Sequence, residues 1–273
     1  MRVIFLAAFL VSTLVLSTAA QERVETNRAS QSSSQMETKK ELNEAARAYR
    51  DGNFAEAQSH SERALQLDPN NRAAPFFVAR TIHAQFKPGD NSEVNSAKGR
   101  DAIAAYQRLL SRFPDDDEAY KAVAYLYGAI KEDELQCSWI FKRAADSSIE
   151  PEKRAEAYIV LASKDWDCSF KVTELPTSKI TEVRGHKAVI HYRKPQSESD
   201  FSKASQCASS GLEMAEMAIT LMPENEDAWS YKTNLLLELG KLAEMSGDRE
   251  RKAMITKEYE DALRQTTKLK QEP

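Results

Sequence analysis

Glycine is scarce in this chain, with 8 residues among 273, and cysteine is scarcer still, with 3. So little glycine leaves no Gly-rich loop of the kind that cradles phosphate. The sequence also lacks a G-x-S-x-G nucleophile elbow and a His-Glu-x-x-His metalloprotease helix. No paired Cys-x-x-Cys supports His186 and His191, so their nearness in sequence to Cys168 and Cys207 falls short of a zinc spacing. Strand-type alternation occurs in one place only. The formal net charge is −4, and the clustered basic surface of a nucleic-acid binder is not expected. Beyond Ala20 no apolar run approaches the roughly 20 residues that cross a bilayer. These absences point away from a catalytic protein, from a metal centre and from any cofactor.

What is present begins with a leader. Arg2 precedes an apolar run from Val3 to Leu16, and small residues follow to Ala20, with Thr18 and Ala20 suited to a cleavage site. Residues 1–20 therefore read as a secretory signal peptide; the competing reading is an uncleaved anchor, for which the apolar stretch is short. Residues 21–38, rich in Ser and Gln, read as a flexible linker with too little apolar surface to offset its ordering entropy.

The stretch Glu41–Asn71 organises the remainder. Its pattern predicts two amphipathic helices joined at Asp51-Gly52-Asn53, with Ala45, Ala48 and Tyr49 on one inner face and Phe54, Ala57, Ala64 and Leu65 on the other. Pro69 stops the second helix. Ala45, Gly52, Phe54, Ala57, Ala64, Leu65, Leu67, Asp68 and Pro69 stand at the spacing of the 34-residue tetratricopeptide repeat (TPR), which this unit resembles. The resemblance extends over 39–270 as about five units. Arg72–Phe86 and Asp101–Phe113 form the second, around a polar insertion, KPGDNSEVNSAKG. The third opens at Asp117 with Tyr120, Val123, Ala124 and Tyr127, and its second helix carries Cys137, Phe141 and Ala144. Pro151 opens the fourth, patterned by Tyr158, Leu161 and Ala162. After about 169–199, where ITEV and AVIHY around Gly185 predict a β-hairpin, Asp200 is placed to cap Phe201–Leu221, with Gly211, Ala215 and Ala218 on the small positions. Trp229 marks the fifth unit, Asp227–Met245 and Arg249–Lys268. The resemblance implies an all-α fold, a TPR-type α-solenoid of antiparallel helix pairs with one β-hairpin insertion.

It also implies a function. TPR proteins hold peptides or helices along the wall of their first-type helices, which here carries Tyr49, Phe76, Arg80, His83, Lys121, Tyr125, Trp166, Ser230 and Asn234. Arg80, His83, Lys121, Tyr125, Trp166 and Asn234 are the partner-binding candidates; Tyr49 and Phe76 are equally good packing residues. His60 reads as surface. The run Asp115–Glu118 reads as a helix N-terminal cap rather than a metal cage. Cys168 and Cys207 flank the hairpin and read as a disulfide at its base, the competing reading being ordinary buried residues; Cys137 is left as a packing residue. The expected protein is an exported, non-catalytic scaffold for a protein or peptide partner, periplasmic or extracellular, in bacterial envelope assembly or maintenance. The competing expectation is an enzyme, or an enzyme's accessory, with its site at the hairpin.

Overall fold

The computed structural model describes residues 30–184 and 187–271. The leader, the first part of the linker, and Gly185 and His186 at the expected hairpin turn lie outside the described residues. The described residues are all-α apart from one antiparallel pair of strands. They divide into two compact units, one up to residue 136 and one from residue 137, and the boundary falls within a helix.

The first unit holds α1 (30–50), α2 (Phe54–Leu67), α3 (Ala73–His83), α4 (Glu93–Leu110), α5 (Asp117–Ala129) and the start of α6 (Asp133–Ala145). Small side chains set its spacing: Ala45, Ala57, Ala64, Ala79 and Ala102 are wholly buried, so neighbouring backbones approach closely. Leu109, Val123 and Leu126 fill the space between helices and are also wholly buried, each contributing about 1.5–3 kcal/mol by leaving water. Gly52 has φ +78°, the left-handed conformation that turns α1 back into α2. Asp116 caps α5 by accepting from the Ala119 N–H at 3.0 Å, so the acidic run does serve as a cap.

Three expectations need correction here. The linker was expected to reach residue 38, yet α1 is helical from residue 30. Thr38 is 2% exposed and Ser34 Oγ donates to the Leu67 carbonyl at 2.7 Å, so contact with the end of α2 supplies what composition could not. The insertion before α4 was expected to be loop up to Gly99, yet α4 starts at Glu93 with Ser92 as its cap. Buried Asn95 accounts for this: its amide donates to the Lys87 and Asp90 carbonyls at 2.8 and 2.7 Å and accepts from the Lys87 N–H at 2.8 Å. His60 is not a surface residue. Its Nδ1 lies 2.7 Å from Glu41 Oε2, and its side chain is 18% exposed, because the α1–α2 turn sets the two helices antiparallel.

The second unit holds the rest of α6, α7 (Pro151–Thr173), β1 (Lys179–Arg184), β2 (Lys187–Tyr192), α8 (Glu198–Leu221), α9 (Glu226–Ser246) and α10 (Arg249–Gln271). Pro151 occupies the first turn of α7, where its missing N–H costs nothing. In α6 the buried pair is Ile140 and Ala144; Phe141 is 48% exposed and Cys137 half-buried, so neither packs as the repeat pattern implied. The α8 cap is Ser197, whose Oγ accepts from the Asp200 N–H at 3.1 Å; Asp200 lies inside the first turn. Around α9, Ala204, Ala208, Leu236, Leu239, Leu242 and Ala243 form one buried cluster, and Ala162, Ala215 and Leu235 another. Gly211 lies where a Cβ would stand 2.7 Å from Leu235 Cδ2 and 2.8 Å from Asp165 Cβ, so glycine sets how closely α8 approaches its neighbours.

The hairpin runs between α7 and α8 with Lys179 opposite Tyr192 and Arg184 opposite Lys187. Cys168 on α7 and Cys207 on α8 are joined as a disulfide, with Cα atoms 6.1 Å apart.

Candidate partner-binding faces

In the first unit four candidates stand on alternating helices. Arg80 and His83 lie on α3, one turn apart; Lys121 and Tyr125 lie on α5, also one turn apart and so on one face. The Arg80 guanidinium sits 5.0 Å above the ring of Tyr49 on α1. His83 packs between two tyrosines, with centroids 5.9 Å from both Tyr106 and Tyr125. Behind it Tyr106, 3% exposed, meets Phe76 edge-on at 6.4 Å, and its hydroxyl lies 3.3 Å from His83 Nδ1. Burial pushes the Tyr106 phenol up and the His83 imidazole below its usual value, so His83 is held neutral. Tyr125 is 50% exposed. Lys121 pairs with Asp117 at 3.0 Å and remains largely solvated. The result is a layered face: buried Tyr106, then His83 and Phe76, then Tyr49, Arg80, Tyr125 and Lys121 outermost.

Trp166 and Asn234 belong to the second unit and form a separate group. Trp166 on α7 packs 5.0 Å from Phe170 and 6.3 Å from Tyr231 on α9. It also leans on the cluster of Ala162, Ala215 and Leu235, so part of its ring serves packing. Ser230 and Asn234 are half-buried on α9. Tyr231, absent from the expected set, is the residue that joins the α7 and α9 side chains; its spacing of three from Asn234 was the available signal.

The hairpin's base holds an arrangement that no sequence motif announced. Lys241 Nζ lies 2.6 Å from Glu238 Oε1 and 2.8 Å from Glu174 Oε1, and the Thr173 hydroxyl donates to Glu238 Oε2 at 2.6 Å. The ammonium also sits 5.3 and 5.2 Å from the rings of Phe170 and Tyr192. Burial alone would lower the Lys241 pKa, but the two carboxylates outweigh it and raise it, so the lysine stays charged. Beside it a cleft of about 260 Å³ opens between β2, α9 and α10, lined by Leu236, Leu237, Ile255 and Tyr259 among others. The charged groups at its rim are Lys241, Glu244 and Lys252, and all three are ion-paired, Lys252 to Glu244 at 2.7 Å. Among the described residues no group of three His, Cys, Asp or Glu side chains is placed to hold a metal ion.

Helices paired through buried alanines, hinged at Gly52 and carrying aromatics on the first-type helices settle the architecture. The fold is of the TPR type. No family model matches the sequence, and no curated protein matches it. Solved structures do resemble the TPR-type chain. The MamA protein is 15% identical over 85% of this chain and 94% of its own, with a TM-score of 0.40. YrrB, described as a TPR protein with an unusual peptide-binding site, is 11% identical over 80% and 90%, with a TM-score of 0.36. Pseudomonas aeruginosa PilF is 15% identical over 88% and 100%, with a TM-score of 0.34.

Proposed function

We propose that this chain is an exported, non-catalytic scaffold that holds a protein or peptide partner against its first-type helices. The observation that carries this is the face of Tyr49, Arg80, His83, Lys121 and Tyr125: a half-exposed tyrosine and two exposed cations on a support of buried rings. Aromatics and arginine on a rigid backing are the side chains that carry most binding energy at interfaces. Arg80 and Lys121 suit carboxylates or main-chain carbonyls, and Tyr125 suits an apolar side chain beside them. Trp166 with Tyr231, and Asn234 beside them, offer a second surface of the same chemistry. The reading further takes 1–20 as a cleaved leader and 39–270 as about five repeats, placing the protein in the periplasm or outside the cell, in envelope assembly or maintenance. The Cys168–Cys207 disulfide and the lack, among the described helices, of any long and apolar enough to cross a membrane accord with export.

The competing reading, an enzyme site at the hairpin, draws on the cleft beside Tyr192. Its charged rim of Lys241, Glu244 and Lys252 is ion-paired, which favours the scaffold reading. The test is a quantitative capture from native envelope extract, comparing the intact chain with one carrying Arg80→Ala, Lys121→Ala and Tyr125→Ala. Partners enriched by the first and lost by the second, at equal folded content, support the reading. Equal capture by both removes these residues from the site.

A further inference from the structure

We propose that the free edge of β1 is a docking strand for an extended, acidic segment of a partner protein, which adds to the hairpin as a third strand. This surface is separate from the helix faces above, and three observations carry it.

The first is the hydrogen-bond pattern. The Arg193 N–H donates to the Ser178 carbonyl at 2.9 Å, which starts the ladder and makes Ile180–His191 and Glu182–Val189 hydrogen-bonded pairs. Thr181 and Val183 therefore turn their N–H and C=O groups away from β2. Lys179 does so too, but its N–H is taken by the Leu175 carbonyl at 2.9 Å. Among the described residues nothing bonds the outward groups of Thr181 and Val183. On the other edge α9 reaches the base: the Tyr192 N–H on β2 donates to Glu244 Oε1 at 3.0 Å. Beside Tyr192 the β2 edge is thus taken by α9, whereas β1 is open at Thr181 and Val183, the template for strand addition.

The second is the face above that edge. Thr181, Val183, Ala188 and Ile190 share one side of the hairpin, with Val183 76% and Ile190 45% exposed. The base of this side, at Tyr192, packs on the helical core. An isolated pair of strands is marginal in water, and a third strand is what such a pair gains most from.

The third is charge, and it selects the occupant. Within a chain of net charge −4, the segment 177–195 carries Lys179, Arg184, Lys187, Arg193 and Lys194 against Glu182 alone. Lys179 and Lys194 are paired to Glu174 and Glu198, at 2.5 and 2.7 Å. Lys187 and Arg193 are exposed and, among the described residues, unpaired. A second copy of the hairpin would oppose like charges, which is destabilising across a strand pair. An acidic strand is complementary. A segment alternating apolar and acidic residues sets its apolar side chains beside Thr181 and Val183 and its carboxylates on the opposite face, where Lys187 and Arg193 outnumber Glu182.

The test uses the full chain with its disulfide intact and a labelled short peptide of alternating valine and glutamate, titrated by fluorescence anisotropy. The expected result is saturable binding that weakens as salt is raised, no binding of the valine–lysine counterpart, and loss when the probe's amides are methylated on one edge. Thr181→Pro removes an outward N–H that the β1–β2 ladder does not use, so the hairpin is retained and affinity falls at least about tenfold. Should that variant misfold, the methylated probe against the unaltered chain gives the same answer. The proposal is overturned if the acidic peptide fails to bind, if amide methylation or Thr181→Pro leaves binding unchanged, if the lysine peptide binds equally, or if anionic vesicles or an oligonucleotide bind the hairpin while the peptide does not.

Discussion

Replacing Lys241 with methionine should destabilise the second unit by about 3–5 kcal/mol, the cost of leaving a buried charge without its partner. Lys241 is 5% exposed and Glu238 1%, so solvent cannot replace what is removed. Glu238 would keep only the Thr173 hydroxyl, whereas Glu174, nearer the surface, would keep Lys179. The double change Lys241→Met with Glu238→Leu should recover most of the loss, because well-packed apolar groups often equal a buried ion pair. What remains is the Thr173 hydroxyl, left with only the longer bond to the Phe170 carbonyl at 3.4 Å, about 1 kcal/mol. Tryptophan fluorescence in a urea titration isolates the effect: the three tryptophans, Trp139, Trp166 and Trp229, all lie in the unit 137–273. The pH dependence follows from the same geometry. Burial by itself would raise the Glu174 carboxyl, but Lys179 and Lys241 hold it below its ordinary value of 4.5. Its contribution is therefore present above about pH 4.5 and is lost as pH falls through its lower folded value. Lys241→Met should flatten that acid limb. A cost under about 1 kcal/mol, or a double variant as unstable as the sum of the singles, refutes the reasoning.

Other expectations are simpler to check. Cys207→Ser should lower stability by about 4 kcal/mol in the chain-entropy picture, for a separation of 39 residues, with helix content by circular dichroism largely kept. Gly211→Ala should cost about 1–3 kcal/mol by chemical denaturation, since its Cβ would meet Leu235 and the Asp165 Cβ. His83 is held neutral by burial, so the folded chain binds fewer protons than the unfolded one just below pH 6.5. Stability of the first unit should fall as pH drops through about 6.5, levelling off below the folded value, and His83→Gln should remove that slope.

The helix pairs were legible because their signals are local. Gly52 and Pro69 punctuate the first pair, and alanines at Ala45, Ala57 and Ala64 mark where backbones meet. Gly211 was readable as a small position for the same reason. The hairpin was legible as the one stretch where apolar period changes from helical to alternating. What failed depended on distant partners. The start of α4 is fixed by Asn95 tying down the preceding loop, and that of α1 by contact with Leu67. His60 is partly covered through its pairing with Glu41 across the helix turn, a separation of 19 residues. The Lys241 network escaped because Thr173 and Glu238 are 65 residues apart and no local pattern links them. For the candidate face, spacing on first-type helices named Arg80, His83 and Tyr125, and of these His83 packs against Tyr125. Tyr106, the ring behind His83, comes from the second-type helix α4, where reading along one face does not look.

The claim that the chain binds through its first-type helices is tested most directly by site-specific photocrosslinking in the native envelope. A benzoylphenylalanine is placed at Tyr125, half-exposed on α5, and, as the control, at Val94, 73% exposed at the start of α4. Discrete adducts at Tyr125, absent at Val94 and abolished when Arg80→Ala is added, are the predicted result. Equal adducts at both positions, or adducts at Val94 alone, would contradict it.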